Sequence, residues 1–425
     1  MRHRTGSVKL HFVESLTILR LLLAVLAFGL GLLGFFKAPL GSLWKPAVAA
    51  TEWGHVLAIG PLLVLLLPGG VGASDRIASV LAVLAALLLL SSLGRAFGYV
   101  RGLEVSFARA FGPIQARGLP GAPARPAPLV PGDLLSVSTP AVVPTRHLYR
   151  ELDGHALHLD LYRSADASQP QPLVVVIHGG SWNSGDSTQL GWLNGYLASR
   201  GLTVAAINYR LAPRHSFPAQ PEDVLAALKW LQENASRLGS DPSRIALLGR
   251  SAGGQLALLA AYTARDPAIR AVVGLYPPTD LNWGWDNPTN PLVMDSPKTL
   301  REYLGGTPAQ VQERFDAASP VRFVNPGTPP TLLIHGTRDE LVPAEHSRRL
   351  VQQLEQARVP HLWIELPWAT HGCDANPAGP GGQITTWAVE RFLTAAFQDA
   401  PLKAAATSST ARGDSRLSSR GVVDD

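Results

Sequence analysis

A glycine-flanked serine stands between two strongly patterned segments of the chain. Residues 249–254, Gly-Arg-Ser-Ala-Gly-Gly, directly follow the apolar run 244–248 and precede an Ala/Leu-rich helical pattern over 255–264. A serine on a sharp turn from a buried strand into a helix is the arrangement of a nucleophile elbow, and glycines on both sides let neighbouring backbone approach closely. The pattern therefore predicts that Ser251 is a nucleophile at the end of a strand.

The region around this motif alternates between short β-rich runs and runs with helical periodicity. The later apolar runs are continuous, as expected for strands that helices cover on both faces. Two leading strands followed by strand–helix repeats predict an α/β fold, a mostly parallel eight-stranded sheet flanked by helices. The candidate strands are 147–152, 155–163, 172–177, 203–208, 244–249, 270–276, 330–335 and 361–366.

Two downstream loops carry the partners that a nucleophilic serine needs, a base and an orienting carboxylate. Asp339 follows the strand 330–335, and His371 follows the strand 361–366. Serine, acid and histidine in this order, each just past a strand end, meet at one edge of an open sheet. Glu340 remains an alternative acid. His335 precedes the acid and is expected to be a packing or hydrogen-bonding residue, and His346 is expected to be a solvated helix residue.

A pair of glycines follows the strand 172–177 and offers backbone donors for a developing oxyanion. In His178-Gly179-Gly180-Ser181-Trp182, the glycines expose N–H groups that no side chain blocks, and the N–H of Ala252 is a second donor. A phosphate-binding loop is excluded by the lack of a following lysine or of G-x-G-x-x-G spacing.

Five motifs occur together in the order found in one family. They are His178-Gly179-Gly180, residues 208–213 (Asn-Tyr-Arg-Leu-Ala-Pro), Phe217-Pro218 with Glu222-Asp223, the 249–254 motif, and His335-Gly336 with Asp339. Over residues 145–398 the chain resembles the hormone-sensitive-lipase-like carboxylesterases of the α/β-hydrolase superfamily, and with its N-terminal helices it resembles LipM-type membrane-anchored esterases.

The resemblance implies specific roles for residues of this chain. It implies Ser251, Asp339 and His371 as the catalytic triad, the N–H groups of Gly180, Ser181 and Ala252 as the oxyanion hole, and no metal or organic cofactor. Ser181 stands where the family usually has a third glycine. Trp182 follows it and is a candidate pocket residue, in a form similar to kynurenine-formamidase-like and feruloyl/acetyl-xylan esterase relatives.

The N-terminal region, residues 1–110, contains long apolar stretches with few charges. We predict three transmembrane helices at about 15–36, 52–68 and 77–97, of which the second is short and contains Gly60-Pro61. A cleaved signal peptide and buried soluble helices are the competing interpretations. Three positive residues before the first helix and two after it favour a cytoplasmic N-terminus, and hence a catalytic domain outside the cytoplasm.

The remaining composition divides the chain further. Residues 111–145 are expected to form a Pro/Ala/Gly-rich linker that does not pack. Residues 146–398 are expected to form the catalytic domain, and residues 399–425 a disordered tail.

Residues 1–130 contain 12 Lys/Arg and 4 Asp/Glu, whereas the rest of the chain contains 25 Lys/Arg and 28 Asp/Glu. The basic excess therefore flanks the apolar segments and does not indicate nucleic-acid binding. The single cysteine, Cys373, excludes an intrachain disulfide.

These patterns predict a membrane-anchored serine carboxylesterase or lipase. The expected partners are a small-molecule or lipid ester and, through the N-terminal helices, the lipid bilayer. An amidase or formamidase using the same triad, an acyltransferase, and a catalytically silent ligand-binding hydrolase fold remain open.

Overall fold

The structure is a computed structural model that describes residues 2–70, 72–112, 124–137, 142–152, 154–164, 169–398, 402 and 410–411. The side chains of residues 2–13 and 410–411 are not described. Most of the predicted tail, and residues 113–123 and 138–141 of the predicted linker, lie outside the described residues.

The N-terminal region consists of helices of very different lengths. Their bounds are α1 Arg2–Leu33, α2 Trp44–Glu52, α3 Gly54–Leu57, α4 Ile59–Leu66, α5 Ala73–Val100 and α6 Leu103–Phe111. Two stretches, Glu14–Leu33 and Ala73–Val100, are long and apolar enough to cross a membrane. They cover the first and third predicted segments.

The second apolar segment, predicted as a helix over 52–68, follows a sharp bend and has its helical part at Gly54–Leu66. The helical stretches Gly41–Glu52 and Gly54–Leu66 meet at an angle of 85°, so together they are either one broken span or a re-entrant loop. The bend lies at Trp53, and the following Gly54 packs closely on α5, where an added Cβ would be 2.3 Å from the Leu89 carbonyl oxygen. This close approach explains why position 54 is a glycine.

Helices α1 and α5 run parallel to each other. Arg20 pairs with Asp75 at 2.9 Å near one end, and the Arg95 guanidinium donates to the Gly34 carbonyl at 2.9 Å near the other. The segment from α2 to α4 returns the chain between them. The C-terminal ends of α1 and α5 therefore lie on the same side, which is the side of the α/β domain.

A mostly parallel sheet forms the core of that domain, as predicted. Its order is β1-β2-β4-β3-β5-β6-β7-β8, with β2 antiparallel to both β1 and β4 and the remaining neighbours parallel. Thr410–Ala411 of the predicted tail adds a two-residue parallel strand, β9, beside β8. The strands are β1 Thr145–Leu152, β2 His155–Tyr162, β3 Gln171–Ile177, β4 Thr203–Ile207, β5 Ser240–Arg250, β6 Ile269–Leu275, β7 Thr331–Gly336 and β8 His361–Leu366.

Helices cover both faces of the sheet, which explains the continuous apolar runs. All seven residues of β3 are buried: Leu173, Val175 and Ile177 join one apolar cluster, and Val174 and Val176 join the other. The helices are α7 Gly191–Ser199, α8 Ala219–Glu233, α9 Ala235–Leu238, α10 Ala252–Thr263, α11 Leu281–Asp286, α12 Ser296–Leu304, α13 Pro308–Ala317, α14 Glu345–Gln356 and α15 Pro380–Ala396.

The expectation that the linker does not pack is wrong for its described part. Leu129 is buried in the same apolar cluster as α15, and Arg125 is 6% exposed with its backbone N–H donating to Glu390 at 3.1 Å. Helix α6 packs on this face too, through Phe107 against Trp387. Prolines stiffen a segment without preventing its other side chains from being buried, and here those side chains pack the described part of the linker against the domain.

A carboxylate of the N-terminal region lies inside the α/β domain. Glu52, at the end of α2, is fully buried and accepts hydrogen bonds from the backbone N–H groups of Gly381 at 2.8 Å and Gly382 at 3.4 Å. Asn376 donates to the Glu52 carbonyl at 2.9 Å. A carboxylate at the first turn of a helix satisfies N–H groups that lack partners within the helix, so Glu52 caps α15.

Candidate active site

Ser251 lies on a strained turn between β5 and α10. Its φ is 52°, in the left-handed region that is costly for a residue with a side chain. The turn is possible because its flanks are glycines: a Cβ on Gly249 would be 2.0 Å from the Gly253 carbonyl oxygen, and one on Gly253 would be 2.2 Å from that of His178. The predicted strand, turn and helix are all present, and the turn places the Ser251 hydroxyl at the carboxyl edge of the sheet.

The structure brings the three predicted residues into one hydrogen-bonded line. The Nε2 atom of His371 lies 2.9 Å from Ser251 Oγ, and its Nδ1 atom lies 2.6 Å from Asp339 Oδ2. With Nδ1 as donor to the carboxylate, Nε2 is free to accept the serine proton. This geometry is that of a base between a nucleophile and an orienting acid.

The Asp339 carboxylate is buried but well supplied with donors. Its Oδ1 atom accepts the backbone N–H groups of Leu341 and Val342, at 2.9 and 2.8 Å. Burial alone would raise the pKa of Asp339, but the adjacent His371, and hydrogen bonds from His335 and His371, hold that pKa well below its ordinary value. Asp339 is therefore ionised at neutral pH.

Glu340, the alternative acid, occupies a different position. Its side chain is buried at 6% exposure, and neither carboxyl oxygen takes a hydrogen bond from another described residue. Burial, and secondly the charge of Asp339, raises the pKa of Glu340 to about 8. No hydrogen bond joins Glu340 to His371 among the described residues, so the geometry favours Asp339.

The two other histidines considered in this region are both buried. His335 lies against Asp339 at 3.2 Å and bonds to Ser347 and Val342, consistent with a hydrogen-bonding role. The expectation that His346 is solvated is wrong: it is 4% exposed, because α14 turns this face toward Trp283 and the pocket. Burial lowers the pKa of His346 to about 3, with His335 adding to the effect, so the ring is neutral.

Backbone N–H groups in the two loops that flank the site have no hydrogen-bond partner among the described residues. Those of Gly180, Ser181 and Ala252 make no hydrogen bond within the described part of the chain. The N–H of Gly179 instead donates to Gln189 at 2.7 Å, so it is unavailable to a ligand. Gly179 matters by its size, since a Cβ there would be 3.2 Å from that of Ser251. This corrects its inclusion among the expected oxyanion donors.

A largely apolar pocket opens next to these groups. Trp182 lines it, with φ of 60°, its ring stacked on Tyr303 at 4.1 Å and its indole N–H donating to Gln255 at 2.9 Å. His178 stacks on Tyr209 at 4.2 Å and braces the loop that precedes the pocket. Other lining residues are Ser181, Pro278, Leu281, Leu300, Val342 and His346.

Several contacts to the site were missed by the sequence reasoning. The Tyr276 ring packs 4.5 Å from that of His371, and its hydroxyl donates to Asp374 at 2.6 Å, which also pairs with Arg250. From the N-terminal region, the Trp44 indole N–H donates to the His371 carbonyl at 2.9 Å, and the Lys37 ammonium donates to that of Asp339 at 3.1 Å. No local pattern marks Trp44 or Lys37, because their partners lie some three hundred residues away.

The fold and the site geometry are those of an α/β-hydrolase, and comparisons with known proteins show which proteins the chain is similar to. The BD-FAE family model matches residues 159–354. The chain is 35% identical over 266 residues to "Probable carboxylic ester hydrolase LipM" of Mycobacterium tuberculosis (strain ATCC 25618 / H37Rv), covering 57% of this chain and 59% of that protein. It is 34% identical to "Esterase LipC" of the same organism, covering 57% and 62%. The match thus spans less than two thirds of these relatives.

Solved esterase structures show the same similarity. "Bacterial Heroin Esterase" superimposes with a TM-score of 0.52 at 26% identity, covering 61% of this chain and 87% of that one. "Pyrobaculum calidifontis esterase monoclinic form" does so with a TM-score of 0.52 at 26% identity, covering 60% and 85%. The chain is thus similar to carboxylesterases of the α/β-hydrolase superfamily, the superfamily that the motifs predicted.

Proposed function

We propose that this protein is a membrane-anchored serine carboxylesterase. The observation that carries the proposal is the hydrogen-bonded line from Asp339 through His371 to Ser251, with distances of 2.6 and 2.9 Å. The esterases among its relatives support the reaction class. The substrate is a carboxylic ester whose acyl or alcohol group enters the apolar pocket beside Ser251.

Hydrolysis proceeds through an acyl-enzyme. Ser251 Oγ attacks the ester carbonyl while His371 Nε2 takes its proton, and the imidazolium that forms is stabilised by Asp339. The oxyanion of the tetrahedral intermediate accepts hydrogen bonds from the N–H groups of Gly180, Ser181 and Ala252. His371 then donates its proton to the leaving alcohol, and water, activated by the same imidazole, releases the acid.

The N-terminal helices serve as the membrane anchor, with residues 1–110 as the membrane region and 146–398 as the catalytic domain. Support comes from the length and apolar character of α1 and α5 and from their parallel course. A parallel course with one return segment sets the N-terminus and the catalytic domain on opposite sides of the bilayer. With a cytoplasmic N-terminus, the catalytic domain is extracytoplasmic. A phosphatase reporter fused after residue 145 is then active, and an inactive fusion contradicts this orientation.

The catalytic proposal is tested by removing the nucleophile from the full-length protein in detergent. Ser251→Ala is expected to lose p-nitrophenyl ester turnover by several orders of magnitude, and labelling by a fluorophosphonate probe is expected to disappear. Ser236→Ala, at an exposed serine of α9, is the matched control and keeps both. If Ser251→Ala retains full turnover, Ser251 is not the nucleophile and the proposed function is wrong.

A further inference from the structure

The mouth of the pocket is built partly by a loop that the N-terminal region holds in place. In the loop 287–296, Asn287, Thr289, Met294 and Ser296 line the pocket. The backbone N–H of Gly41 donates to the Leu292 carbonyl at 2.9 Å, and a Cβ on Gly41 would be 2.5 Å from the Val293 carbonyl oxygen. The chain that leaves α1 therefore lies directly against the rim of the pocket.

Charged and aromatic side chains mark where this end of the apolar helices meets the bilayer surface. In α5 the stretch 77–94 carries no charge, and Arg95 follows it. The Arg95 guanidinium binds the Gly34 carbonyl and lies 4.8 Å from the centre of the Phe35 ring, while that of Arg338 lies 5.1 Å from the same ring. Arginine and aromatic residues concentrate at the membrane–water interface, so residues 34 and 35 lie at that level.

Apolar side chains continue from this level onto the pocket rim without becoming buried. Phe36 is 64% exposed, Leu40 42% and Leu292 68%. Because Gly41 binds Leu292 directly, these three residues follow the end of α1 along the rim, and we call them the apolar rim. An exposed apolar surface continuous with a membrane helix is one that a bilayer covers.

We propose that the apolar rim lies in the headgroup layer of the bilayer and admits to Ser251 those carboxylic esters that are dissolved in the membrane. The proposal rests on the proposed function and adds the physical source of the substrate. An uncharged ester that partitions into the bilayer reaches the pocket past Leu40 and Leu292 without crossing bulk water. A water-soluble ester reaches the same pocket from the aqueous side of the rim.

The test compares two esters on the full-length protein reconstituted in phosphatidylcholine vesicles. One is 4-methylumbelliferyl oleate incorporated in the vesicles, and the other is p-nitrophenyl acetate in the surrounding buffer. Leu292→Asp places a charge in the rim and is expected to lower turnover of the oleate ester at least fivefold while leaving acetate turnover within twofold. Leu225→Asp, at a leucine that is 39% exposed on α8, a helix that packs on β1 and α10, is the control and changes neither.

The outcomes separate this proposal from the proposed function. If Leu292→Asp leaves both rates unchanged, or lowers both equally, the rim is not an entry surface and the proposal is overturned. Leu40→Asp is a second, independent test of the apolar rim if the Leu292→Asp variant does not fold. The proposed function fails separately, when Ser251→Ala keeps turnover of p-nitrophenyl acetate.

Discussion

The buried carboxyl of Glu340 makes the stability of the domain depend on pH in a calculable way. Its pKa is about 8 in the folded protein, against an ordinary value of 4.5. The folded state therefore binds this proton more tightly than the unfolded state, so stability falls as the pH rises from about 4.5 and the loss is complete above about 8. A pKa difference of 3.5 between the folded and unfolded states corresponds to a loss of about 5 kcal/mol in the free energy of unfolding at pH 9, which is an upper bound for this group.

Replacing Glu340 by glutamine removes that pH-dependent loss. Glu340→Gln is expected to unfold at a temperature roughly 10 °C higher than the unchanged protein at pH 9, since each kcal/mol shifts the midpoint of a domain of this size by about 2–4 °C. At pH 5.5, one unit above the ordinary pKa, the corresponding loss is about 1.4 kcal/mol, so the two unfolding temperatures are expected to differ by about a third of their difference at pH 9. The measurement is thermal unfolding of the full-length protein in detergent, followed by circular dichroism across this pH range.

The control is Glu313→Gln, at an exposed glutamate of α13. It is expected to behave like the unchanged protein at every pH. If Glu340→Gln differs from the unchanged protein by the same amount at pH 5.5 and pH 9, the carboxyl of Glu340 does not titrate between these values, and the reasoning from its burial is refuted.

Two further substitutions test the backbone donors and the support of the base. Gly180→Ala puts a Cβ 2.2 Å from a backbone oxygen of the same loop, at a φ of +120°. Because this shifts the oxyanion donors, we expect kcat for p-nitrophenyl ester hydrolysis to fall at least about 100-fold. Gly154→Ala, also at positive φ but in open space, is the control and leaves kcat unchanged. Trp44→Phe removes the indole N–H that donates to the His371 carbonyl. A loss of about 1 kcal/mol in the free energy that positions His371 corresponds to a roughly fivefold lower kcat at unchanged KM. The same change at the more exposed Trp53 is the control and is expected to have no effect.

The sequence predicted the sheet and the approach of Ser251, Asp339 and His371 because these features depend on local patterns. Continuous apolar runs define strands buried on both faces, and parallel strands bring the loops at their carboxyl ends to one edge. The strand that supplies the elbow appears in the structure as β5, over Ser240–Arg250. The position of each loop therefore followed from the order of the strands.

The errors share a different cause, which is contact between segments far apart in the chain. His346, which was expected to be solvated, is buried because α14 packs this residue against Trp283. The periodicity of α14 alone does not reveal this contact. The linker packs because Arg125 and Leu129 find partners in α15. Hydrophobic patterning identifies which residues seek burial, but it does not identify a specific partner for a polar one.

The capping of α15 by Glu52 has a consequence for the order in which the protein folds during synthesis. The Glu52 carboxyl group and the Gly381 N–H whose hydrogen bond it accepts are 329 residues apart, so Glu52 is synthesised long before its donor. Glu52 remains without this partner until α15 has been synthesised. Docking of α2 against α15 is thus a late folding event, and contacts between residues so far apart in sequence form slowly.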